Sequence, residues 1–175
     1  MFKKKIEENQ ESSTESSDDW MNIAKSLIGT NETPGNKNNP TIIQWAKDLG
    51  IINEYNADSI PWCGLFVARV MSESGHDVID SPLWALSWKN YGEKLSKPLY
   101  GSILVFKRTG GGHVGFCVGY DDDYYHVLGG NQSDSVSITR IEKARCVAIR
   151  WPNNVPHGPE APHQTLNVSV STNEA

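Results

Sequence analysis

Pro61-Trp62-Cys63-Gly64-Leu65-Phe66-Val67-Ala68-Arg69-Val70-Met71 sets a lone cysteine at the opening of an apolar helix. Phe66, Val67 and Val70 recur at helical spacing. Pro61 biases its predecessor away from helix, so the spacing predicts a helix starting at or near Cys63. A thiol there sits at the positive end of the helix dipole, which favours the thiolate. Taken alone, a free cysteine is more often a small buried apolar side chain. Two downstream segments reverse that reading: Gly111-Gly112-His113-Val114-Gly115 and Leu128-Gly129-Gly130-Asn131-Gln132. A nucleophilic thiol needs a base to take its proton and a polar group to hold that base in one tautomer. Cys63, His113 and Asn131 offer these three roles.

The histidine lies in a predicted strand pair. Ser102 to Phe106 is an apolar β run, Lys107 to Gly112 a glycine-rich turn, and His113 opens a second run to Tyr120. Val114, Phe116 and Val118 fall on one face, with His113, Gly115, Cys117 and Gly119 on the other. The small residues beside His113 leave room for substrate or for the Cys63 helix. Of the five histidines, His157 and His163 lie in a polar tail and His76 at a helix end. His126, in the strand-like run Tyr124 to Leu128, is the competing base. Asn131 is the candidate for orienting His113, since an amide oxygen accepts a ring N–H without adding a full charge. Gln132 and Asp134 are alternatives, and an Asn-rich hairpin turn is the structural reading of the same residues.

The chain has 175 residues and a net charge of −5, with no basic stripe, which argues against nucleic acid as partner. Three cysteines at unrelated spacings form neither a disulfide framework nor a zinc pattern, and Cys117 and Cys146 read as core residues. No apolar run is long enough to cross a membrane, and the basic Lys3-Lys4-Lys5 is followed by no signal-peptide core. Residues 1–19 are polar and expected to be a disordered tail or tether. Residues 20–152 are expected to form one domain, and residues 153–175 a second flexible extension. Helices are predicted over Trp20–Leu27, Thr41–Leu49, from Cys63 onward and over Leu83–Tyr91. Strands follow from Ile103 to Arg150. Helices first and antiparallel strands after is an α+β fold, with the cysteine helix set against the sheet.

These motifs carry a resemblance. Trp20, Ala24 through Gly29-Thr30-Asn31-Glu32-Thr33-Pro34-Gly35, Asn38-Asn39-Pro40 and Trp45 lead into Pro61-Trp62-Cys63 and Trp88. Gly101 to Phe106, Gly112-His113-Val114-Gly115-Phe116 and Leu128 to Asp134 follow in order. From about Trp20 to Pro152 the chain resembles papain-like peptidoglycan hydrolases of the CHAP and NlpC-type superfamily, in the compact form common in phages and prophages. Two positions depart from the pattern. Gly129 stands where CHAP relatives often carry a glutamate, and Ser102 where an aspartate is usual.

The resemblance implies a papain-like cysteine endopeptidase or N-acetylmuramoyl-L-alanine amidase that cleaves an amide of the peptidoglycan stem peptide. Cys63 would be its nucleophile, His113 its base and Asn131 its orienting group, with Trp62, Glu32 and Gln132 as substrate contacts. The backbone N–H of Cys63 is the natural oxyanion donor. Glu54, Asn56 and Asp58 resemble the calcium loops of some CHAP enzymes but bring too few carboxylates, so no metal and no cofactor are expected. A phage lysin or virion-associated enzyme is implied, made without a signal peptide and acting on the wall after holin release, within a virion or by injection. The tails would join it to a virion or secretion partner and be dispensable for cleavage. A catalytically silent wall-binding domain and a papain-like toxin are the rival readings.

Overall fold

The computed structural model describes residues 17–172 and 174. Of the N-terminal stretch expected to be disordered, residues 1–16 lie outside the described residues. The remainder already belongs to helix α1 (Ser17–Ser26), where Ser17 and Trp20 are buried. Helix α2 (Pro40–Asp48) starts on a proline, with the Asn39 side chain accepting the Thr41 N–H. Helix α3 (Cys63–Glu73) buries almost every side chain it has. A 3₁₀ segment, Ala85–Asn90, stands where the fourth helix is predicted.

The strands are β1 (Glu93–Lys94), β2 (Ile103–Arg108), β3 (Gly111–Tyr120), β4 (Tyr124–Gly129), β5 (Ser137–Glu142) and β6 (Cys146–Trp151). They form one six-stranded sheet in the order β1-β6-β2-β3-β4-β5 with every neighbour antiparallel. The fold is therefore α+β, with a helical layer packed on an antiparallel sheet.

Alternation along the strands gives the sheet two dissimilar faces. Ile103, Val105, Val114, Phe116 and Leu128 join Phe66, Val67 and Val70 of α3 in the main core. Leu104, Phe106, Cys117, Val127 and Ile141 point the other way and pack with Ala161 in a smaller cluster. His113 pairs directly with Phe106 across the strands, so its side chain shares the second face. The helix thus packs on the Val114 face. The room beside Gly115 is filled from within the sheet, because a Cβ there would meet Val127 Cγ1 at 2.6 Å.

The segment after Trp151 is not a free extension. Val155 is buried and its carbonyl accepts the Trp151 indole N–H at 3.0 Å. Isolated bridges then pair Glu160 with Leu99, His163 with Tyr120 and Val170 with Arg140. These contacts run mostly through the backbone: Gln164 N–H to Tyr120 O at 2.9 Å, Arg140 N–H to Ser169 O at 3.0 Å. A polar, aperiodic composition does not report such pairing, which is why the segment reads as flexible. Among the described residues, no helix is long and apolar enough to cross a membrane.

Candidate active site

Cys63 is the first residue of α3, and its helix start has no side-chain cap. The first-turn N–H groups of such a helix are left for other acceptors. The thiol takes up part of that capacity, lying against the backbone N–H groups of Val114 and Gly64. Gly64 allows this seat, because a Cβ there would stand 2.0 Å from the Pro82 carbonyl oxygen. Burial pushes the Cys63 thiol up from its ordinary value, opposed by those N–H groups and by the Arg108 charge.

Val114 directly follows His113, so the thiol meets β3 at the histidine's neighbour. His113 is fully buried, and burial pushes its imidazole down to about 4. Its Nε2 lies 3.0 Å from Gln132 Oε1. The rest of the Gln132 amide is committed: Nε2 donates to Val127 O at 3.1 Å and to Ser137 O at 2.6 Å. Two carbonyls can only face the NH₂ end, so the oxygen must face the histidine. The His113 proton therefore sits on Nε2, and Nδ1 carries the lone pair. Nδ1 has no hydrogen-bond partner among the described residues.

Asn131 takes no part in this contact. It is buried in a left-handed backbone conformation (φ 58°), and its Nδ2 has no partner among the described residues. The amide that reaches His113 is its neighbour Gln132. Gly129 explains how: a Cβ there would lie 2.7 Å from Gln132 Oε1 and 3.2 Å from His113 Nε2. The carboxamide of Gln132 thus fills the space that a side chain at residue 129 would enter. Asp134, the other alternative, is exposed and its backbone carbonyl binds the Glu32 N–H.

The remaining expected site residues are placed differently from the reading of the sequence. Trp62 is completely buried, and its indole N–H donates to Glu32 Oε1 at 2.7 Å. Gln132 is buried against His113, so neither it nor Trp62 presents a surface to substrate. Glu32 borders a separate hollow with Asp58, Ser133 and Asp134. Burial raises its carboxyl, the Trp62 bond opposes this, and the Asp134 and Asp58 charges add to it. Asp58 Oδ2 is occupied by the N–H groups of Thr33 and Asn39, a loop-tying role. His126, the competing base, binds Asp121 at 2.9 Å through Nε2, and Arg140 shares the same carboxylate oxygen.

Cys63 opens onto a cleft of about 380 Å³, lined by Glu54, Ile60, Pro61, Leu83, Trp84, Ala85, Arg108 and Gly110 to Gly112. Trp84 is 74% exposed on its rim. Trp84 and Arg108 are not among the residues the sequence points to: Trp84 falls inside the predicted helix Leu83–Tyr91, whereas the observed 3₁₀ segment starts only at Ala85 and leaves Trp84 outside it. A cleft of about 430 Å³ near His76, Tyr91 and Val155 contains neither Cys63 nor His113.

A helical layer with Cys63 at a helix start, packed on an antiparallel sheet that carries His113, is an α+β fold of the papain-like kind. The family model of the CHAP domain matches residues 55–131, a span that includes Cys63, His113 and Asn131. The match supports a CHAP-type, papain-like peptidoglycan hydrolase of the amidase or peptidase kind. No curated protein matches the chain.

Proposed function

We propose that the protein hydrolyses an amide bond of the peptidoglycan stem peptide through a Cys63 thioester. The observation that carries this reading is the seat of Cys63 at the start of α3 against the Val114 N–H, one residue from His113, whose Nδ1 the Gln132 amide leaves without a partner among the described residues. The His113 side chain leaves the sheet on the face away from α3, so the reading requires the ring and the thiol to approach when substrate enters. Cys63 Sγ attacks the carbonyl carbon as its proton passes to Nδ1. The tetrahedral oxyanion forms at the uncapped start of α3, where the Cys63 N–H is the donor. Collapse breaks the C–N bond, and protonated His113 gives its proton to the departing amine. Water, deprotonated by Nδ1, then releases the acyl group and the free thiol.

Burial keeps both partners uncharged at neutral pH, with the thiol raised and the imidazole lowered. Proton transfer therefore accompanies attack, and the thiol-to-base hydrogen bond, absent among the described residues, forms only when substrate enters. Gln132 holds the ring in place of Asn131. The likeness of the motifs to phage and prophage enzymes supports a lytic role during phage release or entry.

The test is mass analysis of muropeptides after incubation with sacculi. Wild type is expected to leave new amine and carboxyl ends, and Cys63→Ser to leave none while still folding, since a hydroxyl is far less acidic than a thiol. A free N-terminal alanine on the released peptide identifies an amidase; a new end within the peptide identifies an endopeptidase. Turnover by Cys63→Ser, or wall binding by wild type without cleavage, overturns the reading.

A further inference from the structure

We infer that Glu174 is a positioning residue of the active site: its buried carboxylate, clamped by Arg145, supplies from the C-terminal segment the negative charge that supports protonated His113. The inference rests on His113 being the base, as proposed above.

The C-terminal segment covers the sheet face that carries His113. Ala161 packs with Phe106, and Phe106 is the cross-strand partner of His113, with ring centroids 6.4 Å apart. Farther along, the Thr139 hydroxyl donates to Ser169 O at 2.9 Å, and the Ser171 N–H donates to Arg140 O at 2.9 Å. The segment then reaches Arg145. That guanidinium donates through Nε to Lys107 O at 3.0 Å, one residue from Phe106, and through both Nη atoms to the Glu174 carboxylate. The Glu174 side chain has no exposure to solvent. A carboxylate is not buried this way without a partner, and the two-point fork supplies one.

The chain needs such a charge because its nearest ring contact is neutral. Gln132 orients the imidazole but cannot balance the positive charge that forms when Nδ1 takes the thiol proton. Three charged side chains act on His113: Glu174 from the C-terminal segment, Arg145 from the turn Lys143–Arg145, and Arg108 from β2. Cys63 of α3 is the titratable group on the far side of the Val114 backbone, and Gln132 is the uncharged neighbour after β4. Glu174 favours the imidazolium; both arginines oppose it. The proton moves only from Sγ to Nδ1, so no further reactant is involved.

A clamp and a charge predict different results. If Glu174 acts by charge, Glu174→Gln lowers the His113 titration by about one pH unit and Arg145→Gln raises it by a similar amount. Both shifts are read from the His113 ring signals by NMR on the full chain. The rate of Cys63 alkylation by iodoacetamide at neutral pH, followed by peptide mass mapping, should fall about tenfold in the first variant and rise in the second. Glu174→Asp should restore most of the wild-type behaviour. If the pair is only a clamp, both variants move in the same direction or neither moves, and the inference is overturned. Should Glu174→Gln not fold, Arg145→Gln decides, an unchanged or lowered His113 titration overturning it. These readouts need no peptidoglycan: opposite shifts in a protein that does not cleave sacculi would sink the proposed function and leave this inference standing.

Discussion

Gln132 accounts for more of the site than any other side chain outside the proposed pair, Cys63 and His113. One amide ties β4 to β5 through its NH₂ and sets the His113 tautomer through its oxygen. Gln132→Leu keeps the volume but removes the acceptor, so the ring is free to protonate either nitrogen. We expect turnover to fall about 100-fold, the lower end of what acid–base catalysis contributes, in a protein that remains folded. Gly129→Ala should act in the same direction, because its Cβ would come within 2.7 Å of Oε1. Wild-type rates in either variant, measured on soluble muropeptide, would return the orienting role to Asn131. Sequence alone points to the neighbouring amide, because a side chain's reach is set by backbone angles that it does not show. Asn131 sits in a left-handed conformation with φ at 58° and makes no hydrogen bond to His113, whereas the longer Gln132 side chain reaches the ring.

Helix α3 delivers the thiol, and its first turn has no slack. Gly64 backs onto the Pro82 carbonyl, and Gly130, after β4, backs onto Trp62 and Phe66, each at a distance no Cβ tolerates. Gly64→Ala should push the start of α3 off its seat. We expect a loss of roughly 1–3 kcal/mol in stability, typical of overpacking, together with slower alkylation of Cys63. Chemical denaturation and the iodoacetamide rate would show both; a variant that keeps wild-type alkylation would mean the thiol's position does not depend on this contact. The helix itself was legible, since Phe66, Val67 and Val70 mark its buried face. Its neighbour across Gly64 was not, because Pro82 lies in a separate loop.

For the whole molecule, buried His113 ties stability to pH. Its imidazole is held down to about 4 when folded and returns to 6.5 when unfolded. Between these values the unfolded chain binds the extra proton, so stability is lost as pH falls from 6.5 to 4, by about 3 kcal/mol in all. Asp121 acts lower. Against desolvation, which raises it, hydrogen bonds from His126, Arg140 and two backbone N–H groups hold its carboxyl well below the usual range. Its contribution is present above 3.8, the unfolded value, and is lost as pH falls below it. Urea titrations across this range should show the first loss in wild type and its absence in His113→Leu. An equal slope in both proteins would place the acid-labile group elsewhere.

The amino-acid sequence by itself determined the class of fold, most of its helices and strands, and the candidate pair Cys63 and His113. Those rest on signals local in the chain: helical spacing after Cys63, alternation along Ile103 to Tyr120, glycines at the turns, and the order of the cysteine and histidine motifs. Only the tertiary structure decided which amide meets His113, that Trp62 is buried on Glu32, and that the C-terminal segment lies on the sheet with Glu174 clamped by Arg145. These depend on rotamers, on a left-handed residue and on backbone pairing between distant segments, for which composition and periodicity carry no record. The physical reason is range: hydrophobic pattern reports which way a residue faces within its own element, whereas a site is made where the ends of several elements meet.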